Sequence, residues 1–258
     1  MTNSIATIRA LEVLDSRGNP TLEVEITTLE GASGRVIVPS GASVGIYEAV
    51  ELRDGGTRYH GKGVLKAISS VELIAKELMG MDVGDQESID RLMIELDGTQ
   101  NKARLGANAI LGVSLASAKA AAASEGKRLF DHLSRADGGL LPIPFFNVIN
   151  GGQHAGNALD FQEFMIAPLG AGSFSEALRI GSEIYHCLKG QLIDRYGAMA
   201  INVGDEGGFS PPLTRPEEAL DAVGGAIEEM GYSGTVSMAM DVAASSIYKD
   251  GFYTVAGN

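Results

Sequence analysis

Hydrophobic and polar positions alternate strictly over residues 21–27, "TLEVEIT". Leu22, Val24 and Ile26 point one way, and Thr21, Glu23, Glu25 and Thr27 the other. That period of two predicts a half-buried antiparallel strand. Turn-rich stretches bracket it, "DSRGNP" before and "LEGASG" after, and "GRVIVPS" reads as a further strand. The first forty residues therefore predict a three-stranded meander. The period then lengthens to that of helices in "GVLKAISSVELIAKELMG", in "QESIDRLMIEL" and in an Ala-rich run from 106 to about 125. "KRLFDHLSR" extends or follows that run.

The pattern changes again after "ADGGLLPIP", whose glycines and prolines mark a boundary near residue 138. Residues 1–137 form one expected domain and residues 138–258 a second. In the second, "PFFNVIN" and "DFQEFMIAP" read as strands. "SFSEALRIGSEIYHCLKGQLIDRYG" and "TRPEEALDAVGGAIEEMG" read as helices, and "TVSMAMD" as a strand. Ser173 with Glu176, and Thr214 with Glu217, make two expected capping boxes. Gly231 stops the second helix. Ile201 and Val203 read as the end of one more buried strand. No stretch repeats at a solenoid period.

Composition narrows the function classes. The 258 residues are 45% hydrophobic, enough for a real core, and carry a net charge of −13. Nucleic acid is a poor partner for so acidic a chain. The most apolar long stretch, "GANAILGVSLASAKAAAA", carries Asn108, Ser114, Ser117 and Lys119, so it reads as a buried helix rather than a membrane span. No signal peptide is expected from "MTNSIATIRALEV". The single cysteine, Cys187, permits no internal disulfide and suits a reducing compartment. It reads as a small buried apolar residue.

Gly56 to Gly63, "GTRYHGKG", nearly fits a P-loop, but Gly63 replaces the hydroxyl that should hold Mg²⁺, and no apolar strand feeds it. Strand ends are more suggestive. Three segments are expected to finish with acids or their neighbours, each after an apolar run: Gln162-Glu163, Asp205-Glu206 and Asp241. One such acid is ordinary turn chemistry. Three in half a chain would converge on one face if their strands belonged to a barrel. Turn residues and a site both remain open on this ground alone. The same holds for His154, set among glycines in "NGGQHAGN". His60, His132 and His186 read as structural. "VPSGASVG", with Ser40 and Ser43, reads as a small-residue turn, though such a loop can also close as a lid.

Five stretches, in order, closely resemble enolase: "LDSRGNPTLEVE", "VPSGASVGIYEAVELRD", "GANAILGVSLA", "NVINGGQHAGNALDFQEFMI" and "NVGDEGGFSPP". Val44 stands where the family's mobile loop usually has Thr, a change expected to weaken loop closure. The resemblance implies an α+β domain followed by an enolase-type TIM barrel that opens ββαα and then β. It implies dehydration of 2-phosphoglycerate to phosphoenolpyruvate with two Mg²⁺ ions. By position, Glu206 resembles the acid that assists departure of the C3 hydroxyl. Glu163 and His154 resemble its neighbours at the hydroxyl and phosphate end, and Gln162 a substrate contact. Asp241 resembles a carboxylate ligand of the tightly held Mg²⁺ and Ser40 a ligand of the second. Crowding with other acids is expected to raise the proton affinity of Glu206. A cytoplasmic homodimer is implied, with some family members at the cell surface or secreted.

A closed (β/α)₈ barrel needs roughly 250 residues, and residues 139–258 encode three expected strands. The chain is therefore expected to be the first part of an enolase. The lysine base and two further metal carboxylates would lie beyond it. A non-catalytic binding module is the alternative. The 258-residue chain alone should give no rise in phosphoenolpyruvate absorbance from 2-phosphoglycerate and Mg²⁺. Turnover abolished by Glu206→Gln would contradict that expectation. Its Mg²⁺ affinity should be weak, because Asp241 would be a lone carboxylate; micromolar, Asp241-dependent binding by calorimetry would contradict that.

Overall fold

The computed structural model describes residues 3–41, 44–134 and 139–255. The boundary expected near residue 138, and Ser43 of the small-residue loop, lie outside the described residues. The chain divides into two compact units, one carrying the elements up to residue 134 and the other those from Leu140 onward.

In the first unit, β1 (Ile5–Leu14), β2 (Pro20–Thr28) and β3 (Ser33–Ile37) form the expected antiparallel meander, in the order β1-β2-β3. Leu22, Val24 and Ile26 are wholly buried on one face, as their alternation requires. Four helices follow: α1 (Leu65–Leu78), α2 (Gln86–Asp97), α3 (Ala107–Ser124) and the short α4 (Leu129–Leu133). The Asp85 carboxylate accepts from the Ser88 amide to cap α2, and Gly98 ends it in the left-handed conformation. Small residues let α3 lie close on β2 and β3, where it buries Ala109, Val113, Ala116 and Ala120. Asn108 is buried at the start of α3 and exchanges two hydrogen bonds with the Leu52 backbone.

The P-loop-like stretch is a 3₁₀ turn over Arg58–Gly61, with Tyr59 and His60 in the left-handed region. Arg58 pairs with Glu12. A structural role for this loop agrees with its sequence.

In the second unit, β4 (Phe146–Asn150), β5 (Glu163–Ala167) and β6 (Ser237–Asp241) form a sheet in the order β4-β5-β6. Two helices, α5 (Phe174–Tyr196) and α6 (Pro216–Glu229), come between β5 and β6 and pack on each other. The element order is thus the expected ββααβ. Val148, Phe164 and Ile166 from the sheet share a core with Ile180, Ile184 and Leu188 of α5 and Val223 and Ile227 of α6. A small hairpin, β7 (Tyr248–Lys249) with β8 (Phe252–Tyr253), follows. Among the described residues the three strands do not close a barrel.

Three local expectations need correction. Ser173 does cap α5, accepting from the Glu176 amide. The second box is shifted by one: Arg215 is the N-cap, Pro216 opens α6, and Glu218 rather than Glu217 accepts from the Thr214 and Arg215 amides. Proline fits the first helical position because its missing N–H is not needed there, and that sets the frame. Ile201 closes a 3₁₀ turn, Ala198–Ile201, rather than a strand. Val203 makes only an isolated bridge to Phe209 and is 58% exposed. Finally, Glu163 begins its strand instead of ending it, a difference that shapes the site described next.

The contact of α3 with β3 leaves no room at Gly34. A Cβ there would lie 2.2 Å from the Ala116 carbonyl oxygen and 2.4 Å from the Ala120 amide nitrogen. Both are helix backbone and cannot rotate away. Gly34→Ala should therefore destabilise the chain by about 1–3 kcal/mol, read as a lower urea midpoint. An unchanged midpoint would show that the helix does not seat on this strand.

Candidate functional site

β5 runs antiparallel to both β4 and β6. The start of β5 therefore lies at the same edge as the ends of its two neighbours. In that register Asn150 pairs with Glu163, and Glu163 pairs with Asp241. One row across the sheet thus reads Asn150, Glu163, Asp241. Directly opposed residues have Cβ atoms about 4.5–5.5 Å apart, so two carboxylates stand side by side. Gln162, buried just before β5, continues the edge: its amide donates to the Asp241 carbonyl and its carbonyl accepts from the Gly151 amide.

Two loops complete the edge. After β4 the chain enters a 3₁₀ turn, Gly152–His154, which turns the His154 side chain inward. The loop of residues 204–209 then docks by its backbone. Phe209 donates to the Val148 carbonyl, the Asn150 amide donates to the Phe209 carbonyl, and the Asp205 amide donates to the His154 carbonyl. This approach explains two of the glycines. A Cβ on Gly204 would sit 2.3 Å from the His154 carbonyl oxygen, and one on Gly208 would sit 2.1 Å from the Asn150 Oδ1. Glu206, next to Asp205, is carried to the sheet edge by that docking.

The result is a small polar cluster. Nδ1 of His154 lies 3.5 Å from a carboxylate oxygen of Glu163 and 3.5 Å from one of Glu206. Their side chains are 3%, 15% and 39% exposed respectively. Asn147 donates from Nδ2 to Glu206 Oε2 at 3.0 Å. Neither ring nitrogen of His154 has a hydrogen-bond partner among the described residues. Burial pushes the Glu163 carboxyl up from its usual 4.5 to about 7, helped by the adjoining Glu206 carboxylate and the charge of Asp241. Glu163 is thus a crowded acid whose proton affinity rises.

Asn147 and Asn150 were not singled out from the sequence. A bulge between Asn147 and Ile149 adds a residue on β4 and so breaks the alternation. Both amide oxygens then face the glycine at 208. Two asparagines inside an apolar run, "NVIN", were the available signal.

The other expected site residues are placed as follows. Asp241 is exposed at the end of β6, and its Oδ1 accepts from the Ala243 amide. Ser40 belongs to the first unit; its hydroxyl donates to Glu51 at 3.2 Å and accepts from Arg53 at 3.0 Å. Val44 is exposed. Cys187 is half-buried on α5, and burial pushes its thiol up, which keeps it unreactive.

Residues 5–133 match the family model described as enolase, N-terminal domain, and residues 139–258 match the one described as enolase, C-terminal TIM barrel domain. The chain belongs to the enolase family. It is 56% identical over 259 residues to the enolase of Methanothrix thermoacetophila, a match covering 100% of this chain and 61% of that protein. It is likewise 56% identical to the enolases of Methanocaldococcus jannaschii, over 254 residues, and Thermococcus kodakarensis, over 258. Each of those matches covers 98% of this chain and 60% of the relative. The chain thus spans about three fifths of the length of the enolases it matches. No described helix is long and apolar enough to cross a membrane.

The Mg²⁺ that enolases use can be tested against these side chains. Mg²⁺ takes oxygen ligands in an octahedral array. Asp241 offers a solvent-facing carboxylate at a strand end and fits one such ligand. The hydroxyl of Ser40 fits in kind, but it must leave the Arg53 guanidinium to accept a cation. The His154 cluster, with its imidazole nitrogen, does not suit Mg²⁺.

The raised proton affinity of Glu163 has a consequence for stability. Its carboxyl binds a proton more tightly folded than unfolded. The stability it contributes is whole below about 4.5 and is lost as pH rises through about 7. Glu163→Gln cannot ionise. In metal-free buffer it should match the parent near its lower limit, at about pH 5, and exceed it in urea midpoint at about pH 8. A parent more stable than the variant at the higher pH would refute this account.

Proposed function

We propose that this chain supplies the acid side of an enolase active site, for dehydration of 2-phosphoglycerate to phosphoenolpyruvate. One observation carries the reading: in a member of the enolase family, a buried imidazole and two carboxylates meet at one sheet edge, and one of those acids keeps its proton to about 7. Loss of the C3 hydroxyl needs a group that is still protonated near neutral pH. A solvated carboxylic acid is not.

The roles follow from this. The Glu163–Glu206 pair holds a proton beside the reacting centre and hands it to the departing C3 hydroxyl, which leaves as water. Glu206, the more open of the two, faces the hydroxyl, and Glu163 shares the proton. His154 and Gln162 contact the substrate from the same edge, with His154 toward the phosphate end. The C2 proton goes to a base that we place outside these 258 residues. Two Mg²⁺ ions, when bound, neutralise charge building on the enolate. Asp241 would hold one and Ser40 the other. A cytoplasmic location suits the single, reduced cysteine, and a homodimer is proposed from the family likeness.

The test joins this chain to the part of the Thermococcus kodakarensis enolase that lies outside the match. With 2-phosphoglycerate and Mg²⁺, phosphoenolpyruvate absorbance should rise. Glu206→Gln and Glu163→Gln should each lower kcat by about 10²–10⁴-fold, while Ser173→Ala should leave it unchanged. Turnover indifferent to both glutamate substitutions would overturn the roles. A well-folded hybrid without turnover would favour a binding module instead.

A further inference from the structure

Glu206 sits in a tight turn of the docked loop. The Gly207 amide donates to the Gly204 carbonyl at 3.2 Å, and the Gly204 amide to the Gly208 carbonyl at 2.8 Å. Gly207 has a φ of 85°, in the left-handed region, so the chain reverses directly after the glutamate. Asp205, Glu206 and Gly207 are all exposed. Turns of this kind, open to water on one side, are among the least stable parts of a fold. An acid placed on one needs a brace from a more rigid element.

Tyr185 of α5 reaches this turn at two points. Its hydroxyl donates to the Gly207 carbonyl at 3.0 Å. Its ring stacks on Phe209, with centroids 4.3 Å apart and planes 19° from parallel. The two contacts fall on either side of Gly208, and Glu206 immediately precedes the first. Phe209 is buried and tied to β4 through both its amide and its carbonyl. Tyr185 follows Ile184, whose side chain lies wholly in the core that α5 shares with the sheet. The hydroxyl is thus mounted on a packed helix, which holds a group more firmly than a loop does. Burial pushes the phenol above its ordinary value, so it keeps its proton and remains a donor. Asn147 orients the Glu206 carboxylate, while Tyr185 fixes the main chain that carries it.

We propose that Tyr185 is a positioning residue for the dehydration: through the Gly207 peptide and the Phe209 ring it holds Glu206 against His154 and Glu163, and it acts on the substrate only through Glu206. The proposal rests on the acid role given to Glu206 above. A reacting group displaced by about 1 Å can cost about 10²-fold in rate, so a brace on the peptide next to the acid has a large lever.

Tyr185→Phe keeps the ring and its stacking and removes the hydrogen bond alone. In the hybrid with the remainder of the Thermococcus kodakarensis enolase, it should lower kcat about tenfold and leave KM unchanged. In the Glu206→Gln background the same change should cost nothing further, because the brace then holds no acid. A tyrosine that only packs would cost the same in both backgrounds. Hydrogen exchange on the 258-residue chain gives a readout without catalysis. Tyr185→Phe should speed exchange about tenfold at the Asp205 and Gly207 amides and leave those of Phe164 and Ile166 as in the parent. An unchanged kcat, an equal loss in both backgrounds, or exchange quickened throughout β5 would each overturn the proposal. Loss of turnover with Glu206→Gln but not with Tyr185→Phe would overturn this proposal alone. Turnover indifferent to Glu206→Gln would overturn the acid role and this proposal with it.

Discussion

The site rests on one constraint of strand direction. Because β5 opposes both of its neighbours, its first residue meets their last ones. That places Glu163 between Asn150 and Asp241 and sets two acids across one ladder. The sheet cannot relieve this by sliding. A one-residue slip would turn Phe164 and Ile166 out of the core. Hydrophobic burial therefore holds like charges together, and Glu163 responds by keeping its proton.

The docked loop depends on that same edge. It makes no strand of its own beyond single bridges, yet its backbone bonds to Val148, Asn150 and His154. Side chains at Gly204 or Gly208 would push it off. Tyr185 on α5 stacks on Phe209 at 4.3 Å and donates to the Gly207 carbonyl, so the helix layer also fixes the loop. Glu206 thus owes its position to main-chain contacts made by its neighbours. Its own hydrogen bond, from Asn147, orients the carboxylate once it is there.

The first unit is the more legible part of the chain. The alternation at Leu22, Val24 and Ile26 and the helical periods of α1 and α2 were faithful to the structure, since each element buries one simple face. The second unit was legible in element order. It was less so where the backbone leaves regular structure. Ile201 and Val203 look like strand residues, but their chain bends to deliver the acidic loop. The shift from Glu217 to Glu218 at the start of α6 came from proline setting the helical frame.

What the sequence determined alone is the inventory: which segments bury a face, where helices begin within a residue or so, that Gln162, Glu163, Glu206 and Asp241 adjoin apolar runs, and that His154 sits among glycines. Its ordered stretches also pointed to the family. Only the tertiary structure decided the pairing: that Glu163 starts its strand, that a bulge turns Asn147 and Asn150 to one side, and that Glu163 is crowded by Glu206 and Asp241. Periodicity records which face a residue shares with its near neighbours. Proton affinity and ligand geometry depend on charges and donors brought together from distant positions, and that juxtaposition is set by strand direction and register.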